Sequence, residues 1–270
     1  MHIRFCAVCG EDGGCPNVRA AAMPEEQEAL EQRFLAALGD TGVRGCRHIA
    51  EDFSRAVLRS SAIICRGLED LSTLVSGDNA LFPSYHKKVR AEIVLPAKNE
   101  FDPMRPGVDG TFFPYFQDEI RFAALSLERR GSSSYGEYAI VMKDATISKR
   151  ASVFEENTLV FARKFNIAAG GPLPFGYRAT WDERNKPAVA KLHPQLSATT
   201  TLESFPGILL RDGGCTDKDD FIEVHIYGPL HRRAIEVVLG PKPKNSAESA
   251  FHRSIDRKLR EVGSHLEVLE

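Results

Sequence analysis

The order of elements along this chain predicts an α+β domain, with a helical N-terminal portion followed by a β-sheet core. Three observations carry that expectation. Helical patterns crowd the front of the chain, strand-length apolar runs follow them without regular alternation, and neither an internal repeat nor a low-complexity tract intervenes. Composition agrees: 43% hydrophobic and 27% charged residues over 270 positions describe a globular chain long enough for a sizeable core.

Residues 1–23 are rich in Gly and Cys and end in an Ala run, which predicts a poorly ordered leader ahead of a single domain over 24–270. Pro24 suits a first helical turn, and Glu25, Glu26 and Glu28 complement the positive end of the helix dipole. Leu30, Phe34, Leu35 and Leu38 give that helix one apolar face, and Gly39 stops it. A second helix covers 48–59, with Ile49, Phe53, Val57 and Leu58 inward. Residues 61–66 form a short apolar strand ending at Gly67, and 99–110 form a Pro/Gly loop. A third helix begins after Pro114 and sets Phe116, Ile120, Ala124 and Leu127 on one face before Gly131. Strands are expected at 137–143, 159–165, 221–227 and 234–239, with a Pro/Gly loop at 170–174 and a last helix at 246–262. Trp181, the only tryptophan, is expected in the core or a hairpin, and the insert around it is a place for partner recognition.

Several functions are excluded by composition. The net charge is −2, and the basic groups Lys87-Lys88, Arg129-Arg130 and His231-Arg232-Arg233 are interrupted, so no nucleic-acid-binding stripe exists. No apolar run reaches membrane-spanning length, and the first residues lack a signal-peptide core, which leaves other delivery routes open. Cys6 and Cys9 have metal-knuckle spacing, and Cys46 with His48 would complete a zinc site, but no second Cys-x-x-Cys exists. Free, reduced cysteines are therefore expected, and no metal. Gly170-Gly171 and Gly213-Gly214 lack the spacing of phosphate-binding loops. No local signature supports a Cys-His nucleophile pair, and Asp217, Asp219 and Asp220 read as a solvated turn.

The residues 221–227 carry the functional expectation. Alternation sets Ile222, Val224 and Ile226 on one face as core and Phe221, Glu223, His225 and Tyr227 on the other. An acid between rings suits a ligand that offers a hydroxyl and a planar group. The plainer reading is a strand with a polar outer face.

Three segments shift that balance. Residues 221–230, FIEVHIYGPL, look like the glutamate-bearing strand of bacterial ADP-ribosyltransferases; 135–158, YGEYAIVMKDATISKRASVFEENT, resemble their strand-and-serine segment; 62–67, AIICRG, resemble their arginine-bearing first strand. Together they resemble mono-ADP-ribosyltransferases of the Arg-Ser-Glu type, and within them the CteC family of secreted effectors that modify ubiquitin on threonine. The resemblance implies a split β-sheet core and NAD as substrate, without a metal. It implies catalytic roles for Arg66 (on the NAD phosphates), Ser152 and Glu223, with Ser148 competing with Ser152, and Arg90 and Arg121 the alternatives to Arg66. Gly67 would let NAD approach, and Tyr227, His225 or Phe221 would stack on nicotinamide. A specialised secretion signal in the leader, delivery as a monomer to host cytosol, and a host protein partner, ubiquitin, follow from the same resemblance. Arginine-modifying relatives carry an acid or amide two residues before the glutamate; Phe221 stands there, which counts against an arginine acceptor and is compatible with a hydroxyl acceptor, with an acceptor held by a loop, or with hydrolysis of NAD alone. Two other readings remain: an interaction protein that lost the chemistry, and an enzyme that hydrolyses NAD or modifies a non-protein acceptor.

Overall fold

The computed structural model describes residues 14–77, 81–90 and 104–269. Three helices come first, α1 (Pro16–Ala21), α2 (Pro24–Val43) and α3 (Arg47–Val57), and lead into β1 (Ser61–Arg66). Then follow α4 (Leu68–Ser76), α5 (Tyr85–Arg90), α6 (Arg105–Phe112), β2 (Ile120–Ser126), β3 (Tyr138–Met142), α7 (Asp144–Ile147), β4 (Ala151–Phe154) and α8 (Thr158–Lys164). The rest is β5 (Arg178–Thr180), α9 (Asn185–Leu192), α10 (Phe205–Leu209), a small ladder of β6 (Leu210–Arg211) and β7 (Asp220–Phe221), β8 (Glu223–Tyr227), β9 (Ile235–Gly240), α11 (Ser246–Arg260) and β10 (Leu266–Val268).

Eight strands form one mixed sheet in the order β10-β9-β3-β1-β2-β8-β4-β5, antiparallel except for β10 beside β9, so the chain is α+β. One face carries the main core: Ala62, Ile64, Leu125, Ile140, Val153, Val224 and Ile226 meet Leu30, Phe53, Leu71, Val189 and Ile255 from the helices. Trp181 belongs to this core, 1% exposed, its Nε1 donating to Asp144 Oδ1 at 2.6 Å. The second face holds two separate small clusters. Ile120, Phe154 and Tyr227 pack under α6 and α8 beside Cys15, while Ile63, Cys65, Val141 and Val237 pack apart from them.

Glu26 on α2 joins the helical front to this frame. Its buried Oε1 accepts the backbone N–H groups of Gly176, Tyr177 and Arg178 at 2.9, 2.8 and 2.8 Å. A charged acceptor that satisfies three donors offsets its own desolvation.

Several elements differ from expectation. The described part of the expected leader includes α1, which Pro16 opens at a position suited to proline and whose Asn17 and Ala21 are buried. Cys15 is disulfide-bonded, which corrects the expectation of reduced cysteines; Cys46, Cys65 and Cys215 are free, and Cys6 and Cys9 lie outside the described residues. α2 runs through Gly39 to Val43, and Leu35 is 54% exposed, because packing on α3 and α9 outweighs one helical glycine. The expected helix after Pro114 is β2. Residues four apart share a face in a helix and in a strand alike, so Phe116, Ile120 and Ala124 fit both, and pairing on two sides decides. The expected strand at 159–165 is α8, fixed by Asn157, whose side chain accepts from the N–H groups of Leu159 and Val160. Within the expected loop 99–110, α6 begins at Arg105, and 99–103 lie outside the described residues. The strand 221–227 is interrupted at Ile222, between β7 and β8. Among the described residues no helix is long and apolar enough to cross a membrane.

Candidate active site

The sheet opens between two of its central strands. β1 and β2 pair only over Ser61–Ser126, Ala62–Leu125 and Ile63–Ala124. Beyond that point Ile64, Cys65 and Arg66 stay paired to β3, while Ile120 to Ala123 stay paired to β8. The two halves part, and a cleft lined by residues 63–66 and 121–124 fills the gap between the two small apolar clusters. Its walls are completed by Asp70, Ser84, Tyr85, Arg105, Ser132, Tyr135, Asn157, Phe221 and Glu223.

Glu223 pairs with Ala124, so it lies level with the closed end of the split. It is 3% exposed, and its carboxylate is held at both oxygens. Oε1 accepts from Asn157 Nδ2 at 3.1 Å; Oε2 accepts from the Thr158 N–H at 3.1 Å and lies 2.9 Å from His225 Nε2. Two groups fill the lone-pair directions of Oε2, and one direction of Oε1 has no protein partner among the described residues. A carboxylate so arranged accepts a hydroxyl proton bond, stabilises adjacent positive charge or takes a proton.

Arg66 ends β1 three residues beyond the closed end, about 10 Å along the strand. Burial lowers its pKa, which Asp70 opposes. A desolvated guanidinium gains from an anion entering the cleft. Its backbone is pressed by Gly136, where φ is +133° and a Cβ would come within 2.2 Å of the Arg66 carbonyl carbon. Only glycine fits that approach. Arg121 lies across the opening, its guanidinium donating to the carbonyls of Phe82 and Glu119. Arg105 sits over the Tyr85 ring at 4.6 Å. The cleft thus has an acidic closed end and a cationic flank.

Tyr135 stands edge-on to Phe221, ring centroids 6.1 Å apart. Burial first, then the charge of Glu223, pushes its phenol above the usual range, so it is a neutral donor at physiological pH. Cys65 also lines the cleft, and burial raises its thiol to about 12, which makes it a poor nucleophile.

Of the residues singled out in the sequence, Arg66, Glu223 and Phe221 meet in this cleft. Ser152 does not: it is 3% exposed, pairs with His225, and accepts from Asn17 Nδ2 at 3.1 Å behind the cleft wall. Ser148 follows α7 and also lies off the cleft. Gly67 caps α4 and Tyr227 packs on Phe116, so neither lines the cleft. His225 is enclosed by Phe113, Phe122 and Phe154, so it reaches Glu223 rather than a ligand. Arg121 lines the cleft, and the side chain of Arg90 lies outside the described residues. Tyr135, Asn157, Ser132 and Arg105 also line the cleft, and the sequence reading singled out none of them. For Asn157 a signal existed, since Asn-Thr before an apolar run marks a helix start. Among the described residues no cluster of three His, Cys, Asp or Glu side chains is placed to hold a metal. No protein-family model matches this chain, and no curated protein does.

Proposed function

We propose that this chain is an NAD-dependent mono-ADP-ribosyltransferase that uses Glu223 on the nicotinamide ribose and Arg66 on the diphosphate. One observation carries the reading: the arginine and the glutamate named by two separate sequence segments converge on one cleft, at the split of the sheet.

In this reading the bond between ribose C1′ and the nicotinamide nitrogen breaks, and nicotinamide leaves with the bonding pair. Positive charge develops on the ribose as in glycoside cleavage. Glu223 Oε1, with one direction open, accepts the ribose 2′-hydroxyl and stabilises that charge more than the ground state. The acceptor hydroxyl forms the new bond to C1′ and releases its proton to water, because the 2′-hydroxyl occupies the one open direction of Glu223. The Tyr135 and Phe221 rings, edge-on to one another, both line the cleft and offer nicotinamide aromatic surface. Phe221 offers no hydrogen bond to orient a guanidinium, which supports a hydroxyl acceptor. The sequence resemblance supports threonine of ubiquitin, in host cytosol after specialised secretion, as that acceptor.

One observation favours a second reading. Ser152 lies outside the cleft, as an interaction protein that kept the fold and lost the chemistry would allow. Incubation with labelled NAD and ubiquitin separates the two. Wild type should transfer label and Glu223→Gln should lose at least about 100-fold in rate. Equal transfer by both proteins refutes the role of Glu223; no transfer and no nicotinamide release from wild type refutes the enzyme reading.

A further inference from the structure

The N-terminal helix α1 reaches the strand that bears Glu223. Asn17, 3% exposed, directs its Nδ2 at Arg150 O (3.1 Å), Ser152 Oγ (3.1 Å) and His225 O (2.8 Å). Two of these acceptors are carbonyls, so the amide is fixed with its nitrogen toward them. Its Oδ1 is buried without a hydrogen bond, a cost that an aliphatic side chain of similar size would not carry. The amide therefore clamps β4 to β8 at the register pair Ser152–His225. From that clamped residue the imidazole reaches Glu223 Oε2 at 2.9 Å, its ring edge-on to Phe113 and Phe122. Neither Asn17 nor His225 lines the cleft.

We propose that Asn17 and His225 are positioning residues: Asn17 fixes the β8 backbone at His225, and His225 fixes the Glu223 carboxylate so that Oε1 faces the cleft. The group that holds the glutamate is then a histidine from the glutamate's own strand rather than Ser152, and α1 becomes part of the site. This rests on the reading of Glu223 as the group that acts on NAD, and the test separates the two.

The full chain is compared with His225→Leu, His225→Gln, Asn17→Leu and Asn17→Ser for NAD affinity, turnover and crystal structure. His225→Leu should lower kcat about 10- to 100-fold with NAD affinity within about twofold, as expected for loss of one hydrogen bond to a charged group. His225→Gln, which can donate from a similar place, should recover most of that loss. The Asn17 variants should lower kcat about three- to tenfold, again without weakening NAD binding. In crystals of His225→Leu and Asn17→Ser the Glu223 carboxylate should swing from its wild-type place. Crystals decide positioning even if wild type neither binds nor cleaves NAD, an outcome that refutes the function alone. A carboxylate that stays put, or variants that melt earlier yet keep wild-type kcat, overturn the proposal. Failure of both Asn17 variants to fold assigns Asn17 to the fold alone and overturns its half.

Discussion

Asn157 joins two tasks that a double-mutant cycle can separate. Its Oδ1 caps α8 by accepting from Leu159 and Val160 N–H, and its Nδ2 donates to Glu223 Oε1 at 3.1 Å. Loss of an N-cap costs about 1 kcal/mol. Loss of a hydrogen bond to a buried charged acceptor costs about 1.5–3 kcal/mol. Asn157→Ala should therefore destabilise by about 2.5–4 kcal/mol, a large part of the roughly 5–15 kcal/mol that holds a typical domain. Asn157→Ser keeps a capping oxygen and should cost only the second part, about 1.5–3 kcal/mol. In a Glu223→Ala background there is no carboxylate to hold, and the same Ser substitution should cost under about 0.5 kcal/mol. Urea unfolding followed by far-ultraviolet circular dichroism measures each value, with an unchanged denaturant slope as the condition for comparison. Equal cost of Asn157→Ser in the two backgrounds would refute the reasoning, because the bond to Glu223 would then contribute nothing.

Other outcomes follow from burial and backbone geometry. At pH 8 the Cys65 thiol, raised to about 12, should label about a thousandfold more slowly than exposed Cys215, as peptide mapping after alkylation would show; equal rates would contradict its burial. Gly136→Ala should cost roughly 3 kcal/mol or more and weaken NAD binding, since a Cβ at φ +133° meets the Arg66 backbone; thermal unfolding and NAD titration check both parts. His252, bonded to Tyr138 at 2.7 Å, has its pKa lowered by burial, which Glu248 opposes. The unfolded chain then binds the extra proton first, between the folded value and about 6.5, so stability contributed by neutral His252 is full above that window and falls as pH drops through it. Melting temperature should decline less steeply from pH 7.5 to 5.5 in His252→Gln than in wild type, and equal slopes would count against it.

The sequence made some of these features legible and hid others for physical reasons. β1, β3 and β9 were readable because continuous apolar runs of strand length have few alternatives in a chain of this composition. β2 was not, because its apolar spacing of four is common to both kinds of element. α8 was misread because apolar content alone does not distinguish a short strand from a short helix, and the cap at Asn157 decides it. Arg66 and Glu223 were singled out through their segments and both line the cleft, whereas Ser152 does not line it, and the side chain that meets the Glu223 carboxylate, His225, comes from the glutamate's own strand two residues on. Tyr135 and Arg105 carry no local signature, since only the opening of the sheet brings them beside Glu223.

The clamp made by Asn17 has a kinetic consequence. Its three acceptors lie 133, 135 and 208 residues away along the chain. Such distant partners make closure late, because the entropy of drawing in the intervening chain is lost before the contact forms. During synthesis α1 must wait until β8 has been made before its last bond can close. A nascent chain that ends between β1 and β8 holds Arg66 but neither Glu223 nor the last acceptor of the clamp, so the cleft is assembled only after β8 has been made.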